Sequence, residues 1–399
     1  MLAKMEDYLL RVAEYKEYVW VLLGVFLFAL VLQLYFYFRY YSGIFRFKNR
    51  IDKNDVRLST NKPAVSVIIC ARNESENLAR FLPAVLKQKY PKFEVIVVND
   101  GSTDESTDLL KKMTEQYPNL YQTFLPMGAK YMSRKKMCVT VGIKAAHYDH
   151  LLLIDADCEP ASDQWIANIM RHYASGTSVV LGYTGYKGNN GFLDNMIAYD
   201  MMFEAMRFMG FALQKKPYRG VSGNLSYSKE LFFAKKGFTS HLILSYGDDD
   251  LLIRDIATDQ NTAVCVEPEA VTWSHRDLTM NSFLYQREKQ METYAEYLPA
   301  TKFRISSEII SRYIFYLLAL VLLVMFAVWT DFISMGIVAF LFLIRLITQL
   351  VVFTKTSNAL TERKFTLSIM LYDIILPLIT LHVRTFGKIG EKKNAMWKQ

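Results

Sequence analysis

The chain has 399 residues, 52% of them hydrophobic, and a formal net charge of +8. So large an apolar fraction excludes a disordered or purely solvating chain and leaves room for one sizeable domain plus membrane segments. Residues 39–60 and 384–399 carry +4 each, which accounts for the whole excess. Both flank apolar runs, so the basicity marks the cytoplasmic side of a bilayer and not a nucleic-acid surface.

Residues 1–18 hold four acidic and three basic side chains and are expected outside the membrane. Residues 19–38 carry no charge, and about 20 apolar residues suffice to cross a hydrocarbon core. The run starts too late and is too long for a cleaved signal peptide. Residues 39–62 form a basic linker, and residues 63–300 are expected to be the cytoplasmic domain. There, short apolar runs alternate with helical patterns: Val65–Cys70 then 75–88, Glu94–Val98 then 104–116, and 135–146 before Leu151–Ile154. That βαβαβ progression predicts an α/β fold, a mostly parallel central sheet flanked by helices. Pro63 and Pro91 stand just ahead of strands, where a missing N–H does little harm. A further helix is expected from near Pro160.

Phe192 to Leu213 reads as one long helix, either a core helix rich in Met and Phe or a helix lying at the membrane surface. Residues 313–329 and 332–352, parted by Thr330 and Asp331, predict a transmembrane hairpin. Residues 366–383 are interrupted by Asp373 and Pro377 and read as transmembrane or re-entrant. A full crossing would put the basic tail 384–399 outside, so the charge pattern favours the re-entrant reading. The four cysteines show no metal-ligand spacing and read as reduced core residues.

Chemistry concentrates where the predicted strands end. Leu151-Leu152-Leu153-Ile154-Asp155-Ala156-Asp157 closes an apolar run with two carboxylates two residues apart, which in extended chain point to one side. Such a pair suits a divalent cation that also holds phosphate oxygens, although Asp-x-Asp alone also reads as a capped strand. Ala71-Arg72-Asn73-Glu74 and Asn99-Asp100-Gly101-Ser102-Thr103-Asp104 follow the first two strands, at the edge where open α/β sheets bind ligands. Asn73 and Asp104 also read as helix caps. Arg134-Lys135-Lys136 opens a helix whose N-terminus favours anions. Arg219 to Tyr227 includes Gly223 and Asn224, and Tyr246-Gly247-Asp248-Asp249-Asp250 sets three carboxylates before a helix. Three adjacent like charges exceed what capping needs.

The ordered set resembles glycosyltransferase family 2, with its A-type nucleotide-sugar fold, over roughly residues 63–290. The resemblance implies that Asn73, Glu74 and Asp100 hold the uracil or ribose of a nucleotide sugar. It implies that Asp155 and Asp157 hold Mg²⁺ or Mn²⁺ on the diphosphate, helped by Lys135 or Lys136, and that Gly223 and Asn224 underlie the sugars. Asp249 is then the catalytic base, with Asp248 and Asp250 as alternatives because the register is open by one. Polysaccharide synthases of this family carry Gln-x-x-Arg-Trp. Aligned on Gln286, this chain has Lys289 and Gln290 there, with Arg287 as partial compensation. Lysine keeps the charge without the bidentate fork, and glutamine offers no aromatic face.

The resemblance implies a metal-dependent inverting transferase, and the charge pattern puts it on the cytoplasmic face of a membrane, placed in the bacterial inner membrane. It would pass sugar from a nucleotide sugar, a UDP-sugar by expectation, to a lipid-linked or membrane-near glycan acceptor. The alternatives are a processive polysaccharide synthase and a non-catalytic nucleotide-sugar-binding subunit of a polysaccharide assembly. The intact aspartate set speaks against the last.

Overall fold

The computed structural model describes residues 15–125, 133–189, 191–242, 244, 246–366 and 368–386. Residues 1–14, and with them most of the expected extracytoplasmic segment, lie outside the described residues, as do residues 387–399 of the basic tail. Helix α1 (Glu17–Phe36) runs through a π-helical turn at Tyr37–Tyr41 into α2 (Gly43–Asp52).

The domain begins with β1 (Val65–Ala71), α3 (Ser75–Leu86), β2 (Phe93–Asn99), α4 (Ser106–Gln116) and β3 (Leu120–Phe124). It continues with α5 (Arg134–Ala145), β4 (His150–Leu153), β5 (Cys158–Pro160), α6 (Trp165–Arg171), β6 (Val179–Leu181) and β7 (Thr184–Tyr186). Then come α7 (Phe192–Leu213), β8 (Leu225–Ser228), α8 (Lys229–Ala234), α9 (Asp250–Ile256), β9 (Thr262–Val264), β10 (Thr272–Ser274) and α10 (Met280–Ala295). The chain ends in α11 (Pro299–Val328), α12 (Phe332–Leu360) and α13 (Ser368–Phe386).

Seven strands form the central sheet in the order β3-β2-β1-β4-β8-β6-β9. The β1–β2, β1–β4, β2–β3 and β6–β9 pairs are parallel, and only β8 runs against its neighbours β4 and β6. The pleat explains how an almost wholly apolar strand serves two layers. Val65, Val67 and Ile69 of β1 join the core under α3, α4 and α6, while Ile68 joins the opposite core under α5 and α7. A small sheet, β5-β10-β7, braces the chain just after Asp157.

Two expectations are corrected here. The segment near Pro160 is strand β5, and the helix starts only at Trp165. Strand β3, at the sheet edge, was not anticipated. For Phe192–Leu213 the structure carries the core reading. Met196, Ile197, Met202, Met206 and Met209 of α7 are buried, and the π-helical turn packs on it with Tyr40 and Phe211 rings 4.5 Å apart.

Among the described residues, four helices are long and apolar enough to cross a membrane: Glu17–Asp52, Pro299–Val328, Phe332–Leu360 and Ser368–Thr385. They mark the chain as a membrane protein. Both helices of the hairpin outrun their apolar runs, α11 by its start and α12 by its end. The last segment is continuous helix through Pro377. Its Asp373 is fully buried, accepting from Arg312 at 2.9 Å and Arg345 at 2.8 Å and from the Tyr316 hydroxyl at 2.7 Å. A charge in an apolar bundle persists when it is neutralised in this way.

Candidate active site

Four chain segments meet beyond the end of β4. The strand delivers Asp155 and Asp157, and the one-turn helix Ser222–Asn224 ahead of β8 delivers Ser222. The N-termini of α5 and α9 deliver Lys135 and Asp249. Ser222 is the knot. Its hydroxyl donates to Asp155 (3.0 and 3.1 Å), accepts from Lys135 (3.0 Å), and its backbone N–H donates to Asp249 (3.1 Å). Lys135 reaches Asp248 at 3.1 Å and Asp155 at 3.4 Å. Sequence reasoning passed over Ser222, although it lies inside a segment already singled out.

The charges press on one another. Burial raises the Asp155 carboxyl, but Lys135, Arg276 and the Ser222 hydroxyl outweigh it and hold the group below its ordinary value. Burial lowers Lys135, but Asp155, Asp248 and Asp249 prevail and keep it firmly charged. Asp249 goes the other way: burial, then Asp248 and Asp250, push it up to about 7. A carboxylate near neutrality is what a general base needs. Asp250 points elsewhere and accepts from the Tyr297 hydroxyl at 3.0 Å, which separates it from the other two.

Asp157 is buried and accepts from Arg276 at 2.8 Å and from the Ser274 hydroxyl at 3.3 Å. Arg276 follows β10, 119 positions along the chain from its partner. A lone arginine at that distance leaves no motif by which to find it. Carboxylate oxygens of Asp155 and Asp157 and the Cys158 sulfur lie within 4.8 Å of one another. Burial and both aspartates push the Cys158 thiol well up, so it stays protonated. The two carboxylates are therefore the fitting donors for a hard divalent cation.

Glu74 opens towards this cluster. Burial raises it, the Asn77 amide at 2.6 Å lowers it, and Asp157 raises it again. An open cleft of about 390 Å³ is lined by residues 73–77, Thr103 and Asp104. Asn73, at a φ of 54°, accepts from the Thr103 N–H at 2.8 Å and so ties the two loops that form the cleft. Asp100 is buried and held by the Arg134 guanidinium, with the Nε–H at 3.0 Å.

Other expected site residues do not converge here. Lys136 is fully buried and donates to the carbonyls of His241 (2.6 Å) and Leu244 (2.9 Å). Asn224 is fully buried and donates to the carbonyls of Tyr183 (2.9 Å) and Ala270 (2.7 Å). A Cβ on Gly223 would lie 2.8 Å from the Thr184 hydroxyl, so close packing requires that glycine. Arg287 is buried in an ion pair with Asp200, and Gln286 is half-buried beside it on α10. Lys289 does feel the charges of this cluster: burial, Lys135 and Arg276 lower it to about 8.

Comparison with known proteins agrees with this geometry. Residues 66–232 match the family model for Glycosyl transferase family 2. The chain is 26% identical over 250 residues to a poly-β-1,6-N-acetyl-D-glucosamine synthase of Staphylococcus aureus, covering 58% of this chain and 57% of that protein. It is 31% identical over 138 residues to glycosyltransferase AglE of Haloferax volcanii, covering 34% of this chain and 43% of that one. The chain thus spans a little over half the length of the first relative and less than half of the second. The mannosyltransferase PcManGT from Pyrobaculum calidifontis, solved in complex with GDP-Man and Mn²⁺, shares the fold. Its TM-score is 0.56 over 92% of this chain and 99% of that chain, at 16% identity. With the strand-end aspartates and the sheet order, the family match identifies residues 66–232 as a glycosyl transferase family 2 domain.

Proposed function

We propose that the protein is a metal-dependent inverting glycosyltransferase that moves a sugar from a UDP-sugar to a lipid-linked or membrane-near glycan acceptor. The observation that carries the reading is Asp249, pushed up to about 7 and joined through Ser222 to Asp155. A base and a metal ligand joined through one serine support the reading.

The nucleoside end of the donor lies in the cleft of Glu74 and Asn73. Asp100 joins the nucleoside once Arg134 releases it. Asp155 and Asp157 are the residues that would hold Mg²⁺ or Mn²⁺, and that cation supplies neutralising charge to the diphosphate. Lys135 and Arg276, already beside those carboxylates, lend positive charge to the departing nucleoside diphosphate. Asp249 takes the proton of the acceptor hydroxyl as that oxygen forms its bond to the anomeric carbon. The bond from that carbon to the diphosphate oxygen breaks on the opposite face, and the centre inverts. Asp248 holds Lys135 in place.

Membrane helices around the domain support an acceptor delivered from the bilayer. The domain 63–300 working at the cytoplasmic face of a bacterial inner membrane fits the basic flanks. The likeness to the S. aureus poly-β-1,6-N-acetyl-D-glucosamine synthase favours a second reading, processive polymer synthesis. The test is transfer from a panel of UDP- and GDP-sugars by the full chain in detergent, with native-membrane lipid extract as acceptor and product length resolved by mass spectrometry. A single added sugar supports the first reading and a ladder the second. Absence of transfer with every donor contradicts both.

A further inference from the structure

Three residues before Asp249, Tyr246 meets Tyr285 of α10. Their hydroxyls are hydrogen-bonded, and their rings stand 6.3 Å apart at 85°. Between them sits Lys289, its Nζ 4.5 Å from each ring centroid. All three side chains are only half-buried, so the cage is open on one side. The helix that carries two of them is fixed nearby by the Arg287–Asp200 ion pair and by buried Phe283.

Lys289 is poorly served in this seat. Burial, Lys135 and Arg276 all oppose its charge, while Asp248 and Glu292 favour it. The ring faces compensate only weakly, whereas a phosphate oxygen holds an ammonium by a charge-assisted hydrogen bond. The cations that repel Lys289 are the ones set beside Asp155 and Asp157, so an anion arriving there attracts all three. The rings in turn cannot be covered by another group while the ammonium occupies them. A sugar whose hydroxyl is to reach Asp249 needs a surface nearby, and an aromatic face that meets the C–H face of a pyranose is one.

We propose that Lys289 is a switching ligand: it rests between Tyr246 and Tyr285 in the empty cleft, moves onto the donor diphosphate, and thereby uncovers the two rings as the platform for the acceptor sugar. This rests on the donor reading above and adds an order, donor before acceptor.

The test uses the full chain in detergent with UDP–Mn²⁺ and GDP–Mn²⁺ as probes, binding being confirmed by calorimetry. Acylation of Lys289 by a neutral succinimidyl ester, followed by peptide mass spectrometry, is expected to slow when nucleotide binds. Nitration of Tyr285 by tetranitromethane is expected to rise. Lys289→Gln should weaken nucleotide binding about tenfold, the loss of one hydrogen bond to a charged group, and Lys289→Arg should largely restore it. In Lys289→Gln the tyrosines should nitrate fast without nucleotide. In the transfer assay, Tyr285→Ala should raise the acceptor KM with nucleotide affinity unchanged, and Tyr285→Phe should recover it. Bound nucleotide with neither label changed, or wild-type nitration in Lys289→Gln, overturns the proposal. If no nucleotide binds, the donor reading has failed, while the nitration of Lys289→Gln still decides the cage.

Discussion

Lys135 and Lys136 are neighbours in sequence and separate in chemistry. Lys135 lies between Asp155 and Asp248, and Lys136 closes two carbonyls beneath the loop that carries Asp249. Lys135→Ala is expected to lower transfer about 10²–10³-fold, the scale of one lost electrostatic donor, and to lower thermal stability as well, because Asp155 and Asp248 lose their cation. Lys136→Met should affect stability alone: it strands two buried carbonyls at about 1–3 kcal/mol, while calorimetry finds nucleotide affinity unchanged. Asp249 makes a pH prediction. As the proposed base it must be ionised, so kcat/KM should fall as pH drops below about 7. A folded value raised from about 3.9 means the folded state holds this proton more tightly than the unfolded chain. The associated stability is complete at acid pH and lost as pH rises through about 7. Asp249→Asn should therefore raise the melting temperature at pH 8 and leave it unchanged at pH 4.

At the scale of elements, the long patterned segments were legible. The helix Phe192–Leu213 was read with the bounds it has, and β1, β2 and β4 fall within a residue or two of their apolar runs. The misses have physical causes. Strand β3 lies on an edge with only Leu120 buried, so it lacks an apolar run. Strands β5, β7 and β10 span three residues each, too few for a period to show. Of the site, each strand-end motif was visible, because it is contiguous. Ser222 and Arg276 were not, because their roles arise from segments far apart in sequence. Helix α7 shows what close packing demands: a Cβ on Gly210 would lie 2.4 Å from the Tyr40 carbonyl oxygen. That oxygen is backbone and cannot turn aside, so Gly210→Ala should destabilise by about 1–3 kcal/mol in fluorescence-detected melting.

Across the whole molecule, buried charges join the membrane helices to the domain. Asp373 holds Arg312 and Arg345, Glu308 holds Arg312 (3.3 Å) and Arg207 (3.4 Å), and Glu204 holds Arg207 (2.6 Å) and Arg219 (3.1 Å). The chain of ion pairs starts within the helical bundle and ends one residue before Gly220, at the loop that carries Ser222. Such a network stabilises little against an apolar alternative, but breaking it strands a charge. Asp373→Ala is expected to destabilise by about 3–5 kcal/mol. The double variant Asp373→Ala, Arg345→Met should regain part of that loss in the same melting experiment. A null effect of Asp373→Ala would show that lipid or water already reaches the arginines.

The central claim is that Asp249 removes the acceptor proton beside a metal held by Asp155 and Asp157. The most direct measurement is turnover and nucleotide affinity of Asp249→Asn side by side, with the donor sugar the wild type uses and with Mn²⁺. The account predicts unchanged metal-dependent nucleotide binding and transfer reduced about 10²–10⁴-fold, the usual worth of a general base. Wild-type turnover in Asp249→Asn, or transfer by the wild type that persists in EDTA, would contradict it.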